Sequence, residues 1–323
     1  MRILITGATG FIGSHLTDFL LKKGMKVVAF DRYNPNYNLG WLEHHKKNKN
    51  INFIFGDVRD YDSVCKSMKG CKAVFHLAAL GGIPYSYDSP LAYYKTNVEG
   101  SYNVLEAAKV QNLNQIILTS TSETYGTAQY VPIDEKHPMS AQSPYSASKI
   151  SADFLGLSYW NSFNMPIKIV RPFNVFGPRQ SPRAVIPSII IQALNNKNKI
   201  KLGNVVPSRD YTFVTDTCEA YYKVFKSKKI FGQILNIGTN KEFKIKDIAL
   251  KVFKKLDVNP KIIHDTNRVR SDKSEVKRLL CDNKKILKSI GWKPKVSFDE
   301  GLSQTINWYK TNQDIFDYEI YHI

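Results

Sequence analysis

Tyr145 and Lys149 stand four residues apart in the run Ser-Pro-Tyr-Ser-Ala-Ser-Lys that spans 143–149. Four residues is about one helical turn, so a helix here places the phenol and the ammonium on one face. An ammonium beside a phenol favours the phenolate and lowers a pKa that is ordinarily about 10, which makes Tyr145 a base near neutral pH. Ser143 and Pro144 supply the helix start, as N-cap and first helical residue. Upstream, Thr121, Ser122 and Glu123 follow a β-branched run at Gln115–Thr119. In open α/β sheets ligands bind beyond the carboxyl ends of the strands, so hydroxyls and a carboxylate there face a site. The plainer alternative is that Thr121 and Ser122 satisfy turn backbone while Glu123 is solvated.

A third group points to a dinucleotide. Gly7, Gly10 and Gly13 follow the first strand directly and open a helix that stops near Gly24. Glycines permit the tight turn, the approach of a phosphate to the backbone, and close helix–strand packing, while the helix N-terminus offers free N–H groups to a pyrophosphate. The next strand ends in Asp31, eighteen residues past Gly13. A carboxylate near that distance suits the 2′-hydroxyl of an adenosine ribose and repels a 2′-phosphate, favouring NAD over NADP. Arg32 pulls the other way, since an arginine there can hold a 2′-phosphate. Asp57 and Val58 follow the third strand; Asp57 serves either as an adenine contact or as a turn and cap residue.

The elements around these groups alternate. Strand-like runs occur at Arg2–Thr6, Lys26–Phe30, Ile51–Phe55, Ala73–Leu77, Gln115–Thr119 and Pro166–Arg171, with helical apolar spacing between several of them. Val98, Tyr102 and Leu105, followed by Ala108, give one such helical stripe. The pattern predicts an α/β, Rossmann-like, doubly wound parallel sheet with both faces covered, plus a smaller C-terminal substrate-binding lobe. The expected division is 1–177 and 178–323, with a segment near 233–238 returning to the main sheet.

Composition bounds the rest. The chain has 323 residues, 43% of them hydrophobic and 12% aromatic, and a net charge of +18. Runs such as Lys46-Lys47-Asn48-Lys49-Asn50 lack interleaved aromatics for base stacking, so most of this charge reads as solvated surface rather than a nucleic-acid footprint. No apolar run approaches the roughly 20 residues of a membrane span, and the N-terminus lacks a secretory pattern, which leads to a cytoplasmic expectation with no membrane partner. Cys65, Cys71, Cys218 and Cys281 have neither metal nor redox spacing. His44-His45 and His137 have no second ligand at a sensible spacing, so no metal is expected.

The ordered motifs Thr-Gly-Ala-Thr-Gly-Phe-Ile-Gly (6–13), His-Leu-Ala-Ala (76–79), Thr-Asn-Val-Glu-Gly (96–100), Thr-Ser-Thr-Ser-Glu-Thr-Tyr-Gly (119–126), Pro-Tyr-Ser-Ala-Ser-Lys (144–149), Arg-Pro-Phe-Asn-Val-Phe-Gly-Pro-Arg-Gln (171–180) and Arg-Asp-Tyr-Thr-Phe-Val-Thr-Asp (209–216) cover nearly the whole chain. Together they resemble the extended short-chain dehydrogenase/reductase family. Thr121-Ser122-Glu123 before Tyr-Gly resembles both its nucleotide-sugar 4,6-dehydratases and its glucuronate-type decarboxylases, where 4-epimerases usually lack the acid; decarboxylases typically carry a different tyrosine–lysine segment, and 143–155 resembles the dehydratases. The stretches 127–135 and 273–283 resemble dehydratases that act on nucleotide-linked N-acetylglucosamine in legionaminic-type sugar pathways. The resemblance implies NAD held by Phe11, Ile12, Leu77, Ala78, Ala79, Asn97 and Phe173 besides the residues above. It implies that Asn174 and Arg209 contact the nucleotide diphosphate, with Arg179 and Arg270 as further candidates, and that the protein is a homodimer paired through helices near 97–110 and 144–162. Ser86 and Tyr87 either line the sugar pocket or serve a turn. Deoxythymidine-linked glucose dehydratases carry Asp where this chain has Ser122; Ser122 resembles instead the GDP-mannose branch and leaves open whether Glu123 serves as both base and acid.

The competing readings are a 4-epimerase, a glucuronate-type decarboxylase, a non-catalytic NAD-binding regulator and a nucleic-acid binder. The last predicts salt-sensitive affinity for DNA or RNA, and no recognition motif supports it.

Overall fold

The computed structural model describes residues 1–316 of the chain. Seven parallel strands form the main sheet: β1 (Arg2–Thr6), β2 (Lys26–Arg32), β3 (Ile51–Gly56), β4 (Ala73–His76), β5 (Gln115–Thr119), β6 (Ile167–Pro172) and β10 (Ile234–Ile237). Their spatial order is β10-β6-β5-β4-β1-β2-β3. The chain therefore winds outward from β1 in one direction, then returns to β4 and winds in the other. The crevice at the carboxyl ends of β1 and β4 is the switch point at which doubly wound sheets bind ligands.

Strand side chains alternate between two buried faces, which is why the strands read as nearly continuous apolar runs. Ile3 and Ile5 join Leu16 and Leu20 of the helix Phe11–Lys22, and Tyr221, Val224 and Phe225 of the helix Val214–Lys226. Leu4, Val28, Val74 and Ile116 pack on the opposite face against Val64 and Met68 of one helix and Val104 and Leu105 of another. The helix Pro144–Phe163 begins as its sequence suggests: Ser143 and Ser146 cap one another reciprocally, Pro144 opens the first turn, and Asn164 closes it in the left-handed conformation.

One stripe differs from expectation. Tyr102 is 46% exposed, while Leu105 and Ala108 are buried. The preceding segment Tyr94–Glu99 is a π-helix. Its wider turn shifts Val98 relative to the helix that follows, Gly100–Val110, whose buried face runs through Ser101, Val104, Leu105 and Ala108 and leaves Tyr102 outside it.

The strands of the second lobe are β7 (Asn174–Phe176), β8 (Lys199–Leu202), β9 (Ser208–Phe213), β11 (Glu242–Lys244), β12 (Lys261–His264) and β13 (Arg278–Leu279). β9 is the centre of a small sheet, paired with β7 and β13 in parallel and with β11 antiparallel. Its core gathers Phe176, Ile189, Phe213, Ile248 and Leu302. β10 lies later in the chain than β7, β8 and β9, yet pairs with β6 at the edge of the main sheet. Among the described residues no helix is long and apolar enough to cross a membrane.

Candidate active site

A cavity of about 1250 Å³ runs along the carboxyl ends of the main strands and between the two lobes. Its first end is the glycine turn. Gly7 has φ +69°, and a Cβ there would lie 2.9 Å from the backbone nitrogen of Ala78; a Cβ at Gly13 would lie 2.0 Å from the carbonyl oxygen of Gly7. A side chain at Gly7 would push the turn off the loop after β4, and one at Gly13 would push the helix off the turn. Gly10 caps the helix Phe11–Lys22 without a side-chain bond, so the first-turn N–H groups stay available to an anion.

Asp31 also lines the cavity, and its carboxylate is fixed. One oxygen accepts the backbone N–H and the hydroxyl of Thr9 at 2.7 and 2.6 Å; the other accepts the N–H of Arg32 at 2.8 Å. Thr9 is a positioning residue that the sequence reading passed over, although it sits inside the glycine motif. Gly7, Gly10, Phe11, Ile12, Gly13, Asp31 and Arg32 share this end with Asp57, Val58, Leu77, Ala78 and Ala79. An anion-receptive turn followed by a fixed carboxylate fits a dinucleotide. Asp57 does cap its turn, through the N–H of Arg59 at 2.9 Å, and the Arg59 guanidinium beside it holds its carboxyl below the usual range.

Tyr145, Lys149, Thr121, Ser122 and Glu123 meet at the centre of the cavity. Lys149 donates to the carbonyl of Thr119 at 2.6 Å, and burial brings its ammonium down to about 8, with Asp153 opposing. Burial pushes the Tyr145 phenol up to about 12, against a hydrogen bond with Thr121 that lowers it; Glu123 raises it further. This corrects the sequence expectation of a Lys149-acidified tyrosine. In the protein alone the lysine's one hydrogen bond goes to a backbone carbonyl, and desolvation of the phenol dominates.

Beneath the site, Arg171 binds Asp153 at 2.9 Å and the Tyr125 hydroxyl at 3.0 Å, while Ser120 donates to the same Asp153 oxygen at 2.7 Å. Both partners of this ion pair are almost fully buried. The network ties the tyrosine–lysine helix to β5 and β6, so the catalytic face cannot drift from the strand ends. Tyr93 adds a second brace: its ring meets that of Tyr145 edge-on at 6.0 Å, and its hydroxyl donates to the carbonyls of Gly81 and Gly82.

The far end of the cavity comes from the second lobe. Phe173, Asn174, Arg209 and Arg270 line it. Glu275 lies 3.5 Å from Arg209 and 3.9 Å from Arg270. Arg183 and Tyr211 line it too, and the sequence reading gave neither a role. The near and far walls touch where the Tyr87 hydroxyl meets the Ser274 hydroxyl.

Three expected residues lie outside the lining. Arg179 has positive φ, which turns its side chain back onto Asp18 of the glycine-turn helix at 2.9 Å. Ser86 is fully buried and donates to the carbonyl of Ile83 at 2.6 Å. Asn97 sits one layer behind the wall, bonded to the backbone of Leu80 and to Ser148; it positions the loop after β4 against the tyrosine–lysine helix. His44 and His45 do have a neighbour. The fold brings Asp18 against both, at 3.1 and 2.7 Å, although Arg179 already pairs with the second oxygen of that carboxylate. His137 is buried and bonded to the backbone of Gln129 and Pro138.

The family model for GDP-mannose 4,6 dehydratase matches residues 4–305. A trifunctional UDP-glucose 4,6-dehydratase/UDP-4-keto-6-deoxy-D-glucose 3,5-epimerase/UDP-4-keto-L-rhamnose-reductase of Arabidopsis thaliana is 32% identical over 97% of this chain, which spans about half of that relative (47%). A dTDP-glucose 4,6-dehydratase from Streptomyces venezuelae, solved with NAD bound, superposes with a TM-score of 0.89 at 27% identity, over 98% of this chain and 99% of that one. A UDP-glucuronic acid 4-epimerase from Bacillus cereus, solved with UDP-glucuronic acid and NAD, gives 0.89 at 30% identity, over 97% and 100%. With a model match over nearly its full length, the chain belongs to the GDP-mannose 4,6 dehydratase family, among the nucleotide-sugar dehydratases and epimerases of the extended short-chain dehydrogenase/reductases.

Proposed function

We propose that the protein is an NAD-dependent nucleotide-sugar 4,6-dehydratase, with nucleotide-linked N-acetylglucosamine as its substrate. The observation that carries the reading is Glu123, whose second carboxylate oxygen is buried at the cavity without a hydrogen-bond partner among the described residues. Oxidation at C4 alone requires no such group. Removal of the proton at C5, which a 4-ketone acidifies, does. The cavity's glycine turn and fixed Asp31 support NAD, as do the NAD-bound neighbours.

Tyr145, through Thr121, accepts the proton of the sugar 4-hydroxyl. When bound, NAD would supply the hydride acceptor for oxidation at C4 and the hydride donor for C6. Lys149 holds the nicotinamide ribose and, once released from the Thr119 carbonyl, stabilises the phenolate. Glu123 takes the C5 proton as the C6 hydroxyl departs. Arg209, Arg270 and Asn174 receive the diphosphate, for which the planar guanidinium fork is suited.

Incubation of purified protein with UDP- and GDP-N-acetylglucosamine, dTDP-glucose and UDP-glucose, without added cofactor, tests this by mass spectrometry. Loss of one water from an N-acetylglucosamine substrate, abolished in Glu123→Gln, is the expected result. Water loss from a glucose substrate alone overturns the sugar assignment. The epimerase neighbour favours a second reading, 4-epimerisation. It predicts an unchanged mass with a shifted sugar NMR spectrum. We also propose a homodimer, paired through the exposed Tyr102, Val110, Phe154 and Phe163 of the two neighbouring helices.

A further inference from the structure

Tyr211 lies on β9, directly opposite Asn174 of β7 in the parallel ladder. Its ring is clamped by Phe176, edge-on at 6.2 Å, and by Phe298 at 5.9 Å. The residue is 4% exposed and lines the cavity. Its hydroxyl is buried and has no hydrogen-bond partner among the described residues. A buried, unpaired O–H forfeits the hydrogen bonds it makes with water when exposed, and native proteins keep few of them without a purpose.

Glu123 connects Tyr211 to the chemistry. The Glu123 carboxylate raises the Tyr211 phenol and the Tyr145 phenol alike, and Arg209 and Arg270 act on Tyr211 in the opposite sense, lowering it. Glu123 is thus within electrostatic reach of both tyrosines, and all five groups line the same cavity. Of the unpartnered buried atoms on cavity-lining residues, which also include the Gln180 side-chain oxygen, one carboxylate oxygen and one phenol hydroxyl complement each other: a base and a neutral donor opening on one cavity. Burial, the leading influence, holds the Tyr211 phenol well above its usual pKa, so it stays protonated and keeps a proton to donate.

On the dehydratase reading, elimination needs such a donor. Glu123 removes the C5 proton, the C5–H electron pair becomes the second bond between C5 and C6, and the C6–O bond breaks with its pair left on oxygen. That oxygen leaves as water after receiving the proton Glu123 has just taken. Negative charge builds on the departing oxygen before the proton arrives. The neighbour of Glu123 is Ser122, so no second carboxyl stands beside it to protonate the hydroxyl early.

We propose that Tyr211 is a catalytic residue whose hydroxyl hydrogen-bonds the departing C6 oxygen, sharing the substrate with Glu123. The proposal rests on the dehydratase reading and adds a group to it.

The test is Tyr211→Phe, which keeps the ring between Phe176 and Phe298, compared with wild type on whichever of the four nucleotide sugars wild type dehydrates. Turnover is expected to fall about 100-fold, the effect of removing one oxyanion donor, with KM and affinity for the free nucleoside diphosphate unchanged. Oxidation at C4 should continue, so the near-ultraviolet absorbance of reduced nicotinamide should accumulate in rapid mixing to a higher level than in wild type. Melting of the unliganded variant should match wild type or exceed it, because an unpaired buried hydroxyl has gone. A raised KM with weaker diphosphate binding would reassign Tyr211 to the phosphates. Unchanged kinetics, or a markedly lower melting temperature, would also overturn the proposal. The wild-type reaction itself judges the underlying reading: no water loss from any sugar removes that reading first, and this inference with it.

Discussion

Two lysines are buried among the described residues, and burial brings both down to about 8. Lys149 sits at the carboxyl end of the sheet with a single hydrogen bond, to the carbonyl of Thr119. Lys168 sits near the amino end of β6 and is saturated: it donates to Gln115 and to the carbonyls of Val224, Phe225 and Ser227. Three of those acceptors close the C-terminus of the helix Val214–Lys226, where a cation is favoured and carbonyls lack helical partners. A depressed lysine pKa alone therefore does not separate a functional site from a structural one. What separates them is unused donor capacity facing a cavity. Glu123 and Tyr211 carry the same mark, each with a buried polar atom that has no partner.

Substitution should split the pair. Lys149→Met should lower turnover by about 10²–10⁴-fold, the largest effect. At pH 7 the variant should also melt higher than wild type. The folded pKa of Lys149, about 8, lies below its ordinary 10.5, so the cost of burying the charge is fully present below pH 8 and fades as pH rises toward 10.5. The melting advantage should shrink over that window; an advantage that does not shrink would sink the assignment. Lys168→Met should do the reverse, lowering stability by about 3 kcal/mol because several buried acceptors lose their donor, while turnover per folded molecule stays within about twofold in a substrate assay. Equal loss of turnover in both variants would erase the contrast. The smallest effect is on pH dependence. kcat/KM should fall as pH rises through about 8, where Lys149 loses its charge, and Lys149→Arg should move that limb alkaline. A limb that stays in place belongs to another group.

The sequence revealed one half of this molecule far better than the other. Each of the seven main strands was visible as an apolar run, and each observed strand begins and ends close to that run, because a strand buried on both faces has little freedom in composition. The second lobe was not visible in this way. β11 and β13 are three and two residues long, and β12 is only partly buried, so there is too little pattern to read. The site divides similarly. Tyr145, Lys149, Thr121, Glu123 and the glycines sit on or beside regular elements, where spacing translates into position. Arg179 was misplaced because a single positive φ in a loop reverses its side chain, and sequence spacing carries no such sign. Asp18 could not be linked to His44 and His45, which lie 26 and 27 residues away. Tyr211 was within reach, two residues past Arg209 on the same strand and so on the same face, but its missing partner is a property of the assembled core.

The late edge strand β10 limits how this architecture can diversify. Between β6 and β10 the chain leaves the main sheet, builds β7, β8 and β9, and comes back. On β10, Asn236 accepts the hydroxyl of Tyr125, which in turn receives Arg171 beneath the catalytic face. A graft of the whole C-terminal part from a relative would replace that edge strand and disturb the support under Tyr145. The smallest exchangeable unit is two separate stretches, one before β10 and one after it. New sugar preferences are therefore more accessible through edits in the loops around the cavity than through trading a module, and a library meant to change the substrate should leave 234–237 untouched.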